Sequence, residues 1–252
     1  MMHCQDVIEP ISRALLQARQ QHQPLALPEA LLNSLDEETA YAVQQRVLEL
    51  RQQPAKWWKT GLMGNGQIFA APIAASECYA SEAKIDTQHF TALHVEAELA
   101  FCFNRSFQPK QQYTEVEILS AISHVAVSIE VLDSRLAGWP QAPTQLHLAD
   151  NQMNGALVIG EAHTWQNSIN FSSQPFELYI NDHLIVQNEG GHPQQNPVQL
   201  LPEFVNLCSH LGYHLEAGSW VTTGTWSGYP AAVSGDKVSV CFAGIGSAWV
   251  QL

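Results

Sequence analysis

Along residues 94–103, HVEAELAFCF, apolar and polar positions alternate, so Val95, Ala97, Leu99, Phe101 and Phe103 share one face of a strand. Glu96 and Glu98 then point together from the other face. A two-residue period, or a short apolar run bounded by turn residues, also marks KWWKTGL (56–62), HVAVSIEVL (124–132) and GALVIG (155–160) as strands. FELYIN (176–181), SWVTTGT (219–225), KVSVCF (237–242) and SAWVQL (247–252) read the same way. Before residue 56 the period is helical. Ile8, Ile11 and Leu15 line one side of an amphipathic N-terminal helix, and Ser34 with Glu37 makes an S-x-x-E signature for a second helix to about Leu50. Two helices interrupt the strands. One runs over roughly 115–123 behind Thr114; the other starts at Asn196 and Pro197, buries Leu201, Phe204, Val205 and Cys208, and ends at Gly212. The chain reads as α+β, with a small helical part over residues 1–55 and a β-rich, metal-binding catalytic domain over 56–252.

Composition sharpens this reading. Hydrophobic residues make up 46% of the 252 positions and charged residues only 14%, so much of the chain must be buried in a core. The formal net charge is −13, with no local Lys/Arg cluster, which argues against nucleic acid as a partner. The same charge repels an anionic substrate, so a site for an acid needs a local positive centre, and a bound cation supplies one. The 5 cysteines lie far apart without a C-x-x-C, which predicts free thiols in a reducing cytoplasm. The N-terminus lacks the continuous apolar core of a signal peptide and no apolar run is long enough to span a bilayer, so a soluble chain with no membrane partner is expected. G-x-S-x-G, H-E-x-x-H and Walker A motifs are absent, and AGIGSAW reads as a hairpin turn.

Three carboxylates stand out. Glu96 and Glu98 alone are what any half-exposed acidic strand face carries. Glu130 differs, because VAVSIEVL is apolar on both faces and reads as an interior strand. A carboxylate buried there needs a counter-charge or a raised pKa. Two arrangements satisfy it: an ion pair, with Arg135 as candidate partner, or a metal shared with Glu96 and Glu98 where the two strands pair. Glutamates without clustered His or Cys suit Mg²⁺ or Mn²⁺ better than zinc. Lys59, between bulky apolar neighbours, either snorkels to solvent, the commoner outcome, or faces a site. The polar loop ADNQMNG, with Asp150 and Asn151, is a turn that can also host binding residues. His94 and His124 are possible proton carriers on the two glutamate strands.

In order along the chain, AYAVQ (40–44), KTGL (59–62), VEAELAF (95–101), IEVLDSR (129–135), ADN (149–151), GGHP (190–193) and TTGT (222–225) resemble the fumarylacetoacetate hydrolase superfamily. The likeness is to the branch that holds 2-oxopent-4-enoate hydratase and 4-oxalocrotonate decarboxylase. It implies a mixed β-roll, usually in a homo-oligomer, with Mg²⁺ or Mn²⁺ on Glu96, Glu98 and Glu130. It implies Lys59 and Asp150 as catalytic groups, and Lys59, Asn151 and Thr223 as contacts to a small 2-oxo acid. Hydratases of that branch usually carry an acid between the lysine strand and E-x-E. Here IFAAPIAASECYAS has Ala and Ser there, with Glu77 nearby, so Asp150 or a histidine is expected to move the proton. The activity implied is hydration of a 2-hydroxy-dienoate, with 2-oxo acid decarboxylation or a non-catalytic binding role as alternatives.

Overall fold

The computed structural model describes residues 4–252. Helices α1 (Cys4–Gln21), α2 (Glu29–Leu32) and α3 (Glu37–Arg51) lead into strands β1 (Ala55–Leu62), β2 (Ile68–Ala74), β3 (Cys78–Ala80) and β4 (Ala83–Lys84). The middle of the chain holds β5 (His94–Phe103), α4 (Glu115–Ser120), β6 (Ile122–Leu132), α5 (Thr144–Ala149), β7 (Asn154–Ile159) and β8 (His163–Thr164). It closes with β9 (Pro175–Ile180), β10 (His183–Glu189), α6 (Leu201–Leu211), β11 (Trp220–Thr222), β12 (Lys237–Phe242) and β13 (Gly246–Gln251).

One sheet runs β2-β1-β11-β5-β6-β7-β3, with β8 added beside β6; the other runs β10-β9-β12-β13-β4. Both are mixed, since β1–β11, β3–β7 and β13–β4 are parallel among antiparallel neighbours. The α+β content with a helical N-terminal part is what the periodicities predicted, and the curled mixed sheets fit the roll that the resemblance implied. The apolar face of β5 (Val95, Leu99, Phe101) meets Leu178, Val240, Phe242 and Phe204 in the main core. A second core joins Val7, Ile11 and Leu15 of α1 and Val43 of α3 to Phe69 and Ala71 of β2 and Leu146 of α5. The N-terminal helices therefore cover the sheet at the edge where β1 and β2 lie. Among the described residues, no helix is long and apolar enough to cross a membrane. Cys78, Cys102, Cys208 and Cys241 are free thiols.

Some local expectations are corrected. Asp36, not Ser34, caps α3 and accepts from the Thr39 N–H at 2.8 Å. The reciprocal Ser/Thr–Glu box instead opens α4, between Thr114 and Glu117. That helix stops at Ser120, because Ile122 already enters β6. Asn196 caps a 3₁₀ turn, Pro197–Leu200, that leads into α6. β2 escaped prediction because IFAAPIA is buried along its whole length and shows no alternation. Its Pro72, which cannot donate to a ladder, is tolerated because β2 lies at the sheet edge.

Candidate metal centre and active site

β5 and β6 pair antiparallel in a register that sets Glu96 directly opposite Glu130 and Glu98 opposite Ser128. Residues two apart on a strand share a face, so this register decides everything at the site; a slip of one residue would turn Glu130 into the opposite face. One carboxylate oxygen from each of Glu96, Glu98 and Glu130 lies within 4.8 Å of the others. Glu98 and Glu130 are buried and Glu96 half-buried. All three line a cavity of about 420 Å³.

Each carboxylate is held differently. Glu130 Oε1 accepts from Lys59 Nζ, while its Oε2 is buried without a hydrogen-bond partner. Lys59 Nζ also donates to the Gln152 carbonyl at 2.9 Å, which leaves its third N–H unassigned within the protein. Glu98 Oε2 accepts from Thr222 Oγ1 and from the Gly224 N–H at 3.1 Å. Since Thr222 donates to Glu98, the 2.9 Å contact with Ser128 must be donated by Ser128, giving a chain Ser128–Thr222–Glu98. Gly224 adopts φ of 94°, a left-handed conformation available to glycine, and this turns its N–H to the carboxylate.

The electrostatics are unbalanced. Burial, then the charges of Glu98 and Glu130, raise the Glu96 pKa well above the carboxylate range. Burial and the Glu130 charge push Glu98 up to about 7, against the hydrogen bonds from Thr222 and Gly224. Burial raises Glu130 too, with Lys59 opposing. Two carboxylates this close repel by on the order of 3 kcal/mol at an effective dielectric near 20. One lysine cannot neutralise three such groups. A convergent all-carboxylate donor set with an orphaned buried oxygen fits a hard divalent cation coordinated by oxygen. Glu96, Glu98 and Glu130 are the residues that would hold it.

The other predicted residues divide. Lys59 and Thr223 line the cavity, although the Thr223 hydroxyl is donated to the Leu99 carbonyl at 2.8 Å. Asp150 and Asn151 do not line it. Asp150, expected as a catalytic group, lies with Arg135: its Oδ1 is 2.5 Å from Arg135 Nε and its Oδ2 accepts the Arg135 backbone N–H at 3.0 Å, so it faces the ion pair behind the turn. Arg135 is accordingly not the partner of Glu130; Lys59 is. Asn151 donates to the Pro72 carbonyl at 2.7 Å. Glu77 is buried against Arg19 and Arg51. Neither suggested histidine is in the lining: His94 packs on Trp139 and Tyr229, and His124 contacts Ser123.

Sequence reading missed His147, Gln152, His192, Thr225, Trp139 and Tyr229, all of which line the cavity. His192 Nε2 is 2.8 Å from the Thr223 carbonyl and so must carry the proton, while Nδ1 accepts from the Gln194 N–H at 3.2 Å. Both nitrogens are used, burial lowers the pKa, and this imidazole is a neutral brace. Burial lowers His147 as well. GGHP pointed to His192, but nothing in the local pattern of TQLHLA distinguishes His147. Asn151, Gln152 and Met153 take φ of 57°, 50° and 63° in succession, a strained left-handed turn that presents the Gln152 carbonyl to Lys59.

The family profile described as fumarylacetoacetate (FAA) hydrolase C-terminal matches residues 37–252. The chain belongs to this family. Among its curated relatives is a 2-hydroxyhexa-2,4-dienoate hydratase of Comamonas testosteroni, 26% identical over 156 residues, which are 62% of this chain and 58% of that one. The chain thus spans a little under three-fifths of that relative's length. A 2-keto-4-pentenoate hydratase of Paraburkholderia phymatum is 24% identical over 251 residues, 95% of each chain. In fold, this fumarylacetoacetate hydrolase family member matches a 4-oxalocrotonate decarboxylase from Pseudomonas putida, solved with magnesium and adipate. The TM-score is 0.85 at 18% identity, over 100% of this chain and 98% of that one. The relatives named here are enzymes, two hydratases and a decarboxylase.

Proposed function

We propose that the protein is a hydratase, dependent on Mg²⁺ or Mn²⁺, that converts a 2-hydroxy-2,4-dienoate, the enol form of a 2-oxo-4-enoate, to a 4-hydroxy-2-oxo acid. The observation that carries this reading is the convergence of Glu96, Glu98 and Glu130 beside Lys59 in one cavity. The hydratase relative aligned over 95% of the chain supports it. When bound, the cation supplies Lewis acidity toward the carboxylate and 2-oxygen of the substrate and offsets their charge.

The residues of the chain do the rest. Lys59, anchored by Glu130 and the Gln152 carbonyl, offers its remaining N–H to the negative charge that develops on the 2-oxygen. Water adds across the distal double bond, its hydroxyl to C4 and a proton to the terminal carbon, and the 2-hydroxyl proton is lost while C3 gains one as the ketone forms, so a group that shuttles protons must reach the cavity. With Asp150 locked to Arg135 and His192 braced, we assign this role to Lys59 and His147, which line the cavity. The test is the loss of ultraviolet absorbance of 2-hydroxypenta-2,4-dienoate with protein and Mg²⁺ or Mn²⁺, abolished by chelation and by Lys59→Met. A metal-loaded, folded protein that leaves the dienoate unchanged would sink this reading. The fold match to a decarboxylase favours one second reading, release of CO₂ from a 2-oxo diacid, which a CO₂ assay with 4-oxalocrotonate distinguishes.

A further inference from the structure

We infer that the cavity takes a 2-oxo acid with a single carboxylate and an apolar tail, and selects against diacids. This rests on the reading of the site as one for a 2-oxo acid, and three observations carry it. The first is the gradient along the cavity face of β5 and β6. Glu98 stands opposite Ser128, Glu96 opposite Glu130, and then His94 opposite Leu132. One step of two residues, about 7 Å, therefore leads from the carboxylates to apolar surface. Trp139 and Tyr229 pack on His94 there, with ring centroids 4.6 and 5.9 Å from it, and both line the cavity together with Leu132. A substrate whose acid end lies at the glutamates extends its tail along this aromatic wall.

The second observation is the cation count. The chain has 11 lysines and arginines, all in the described part, and Lys59 is the one that lines the cavity. Its charge is already engaged by Glu130. Burial lowers the basicity of His147 and His192, so neither histidine of the lining supplies a counter-charge for a second carboxylate. Three glutamates, one lysine and one divalent cation sum to zero. A monoacid then adds one negative charge next to the cation, whereas a diacid brings a second into an apolar pocket without a counter-charge, which is unfavourable. The third observation is volume. A cavity of about 420 Å³ falls in the range that holds drug-sized ligands, well beyond a five-carbon acid.

The experiment is isothermal titration of the Mn²⁺-loaded protein with 2-oxohexanoate and with 2-oxoadipate, which share a six-carbon chain and differ in the terminal carboxylate. At pH 8 the diacid should bind at least about tenfold more weakly. Equal or tighter binding of 2-oxoadipate overturns the inference and leaves the 2-oxo acid reading standing. Failure of both to bind overturns the two together. Tyr229 is 52% exposed, so Tyr229→Arg is a tolerable change that adds a cation at the wall. It should narrow the preference at least severalfold; an unchanged ratio would show that the tail does not run along this wall, which also overturns the inference.

Discussion

Two groups of buried charge flank the 150–153 turn, and they are neutralised to different degrees. Behind it, Arg19 and Arg51 share Glu77 at 2.5 and 2.8 Å, and Arg135 holds Asp150 at 2.5 Å and Asp133 at 3.6 Å. Asn154 ties the two halves together, donating to Glu77 at 3.2 Å and accepting from Arg135 at 2.9 Å through its carbonyl. Three arginines face three acids. In front of the turn, three glutamates face one lysine. The lesson is that buried charge by itself does not mark a functional site. A saturated network is a brace, whereas a cluster left short of positive charge is arranged for something that brings it. The turn belongs to both: Asp150 fixes it from behind, and Gln152 presents its carbonyl to Lys59 in front.

The sharpest break of this contrast is Glu130→Ala. Loss of the proposed hydratase activity on the order of 1000-fold is expected, the upper range for removing one group from a preorganised electrostatic site. Metal retained per protomer, measured by atomic emission after gel filtration, should fall with it while circular dichroism shows a folded chain. Unchanged turnover would remove the cluster from the chemistry.

Arg135→Ala tests the other side. Removing one partner of a buried ion pair is expected to lower stability by about 3–5 kcal/mol, read from the denaturant midpoint. The loss should be the same with and without Mn²⁺. A loss confined to the metal-loaded protein would mean that the two clusters are not separate.

pH separates them further. Glu98 is raised to about 7 from an ordinary 4.5, so its protonated form is favoured by folding. The contribution to stability is full below about 4.5 and is lost as pH rises through 7, amounting to on the order of 3 kcal/mol. The melting temperature of the metal-free protein should therefore carry a falling component over that window, to which Glu96 and Glu130 add with the same sign, and which Glu98→Gln reduces and Mn²⁺ reverses. The buried histidines act in the opposite direction, since burial disfavours their charged form, so the variant is the necessary control.

The smallest effect is at the shared turn. Gln152→Gly keeps the carbonyl that Lys59 uses and relieves a left-handed residue, so a gain of about 0.5–1 kcal/mol in stability is expected with little change in metal affinity. A loss of stability would show that the Gln152 side chain, not the backbone, holds the turn.

Many of the strands were legible because period-two alternation and glycine or proline punctuation are local properties. The span predicted from HVEAELAFCF coincides with β5. β2 and β10 were not legible, one because it is buried on every residue and the other because it is exposed on nearly every residue. Alternation needs one face of each kind. Glu130 was visible as a carboxylate in an apolar strand, and Lys59 as a lysine among tryptophans. That Asp150 pairs with Arg135 was not legible, because a loop sequence does not say which side of the chain a side chain takes. His147 was missed because its place in the cavity depends on how α5 lies against the strands.

By itself the sequence determined the strands that alternate or are sharply punctuated, which faces of them are apolar, and that an acid group, Glu130, sits where water is scarce. Only the tertiary structure decided that Glu96 stands opposite Glu130, that Arg135 turns to Asp150, and that Lys59 is left as the sole cation facing three carboxylates. Alternation and capping act over a few bonds, whereas register and ion pairing join residues 15 to 71 positions apart, through distances that no local pattern encodes.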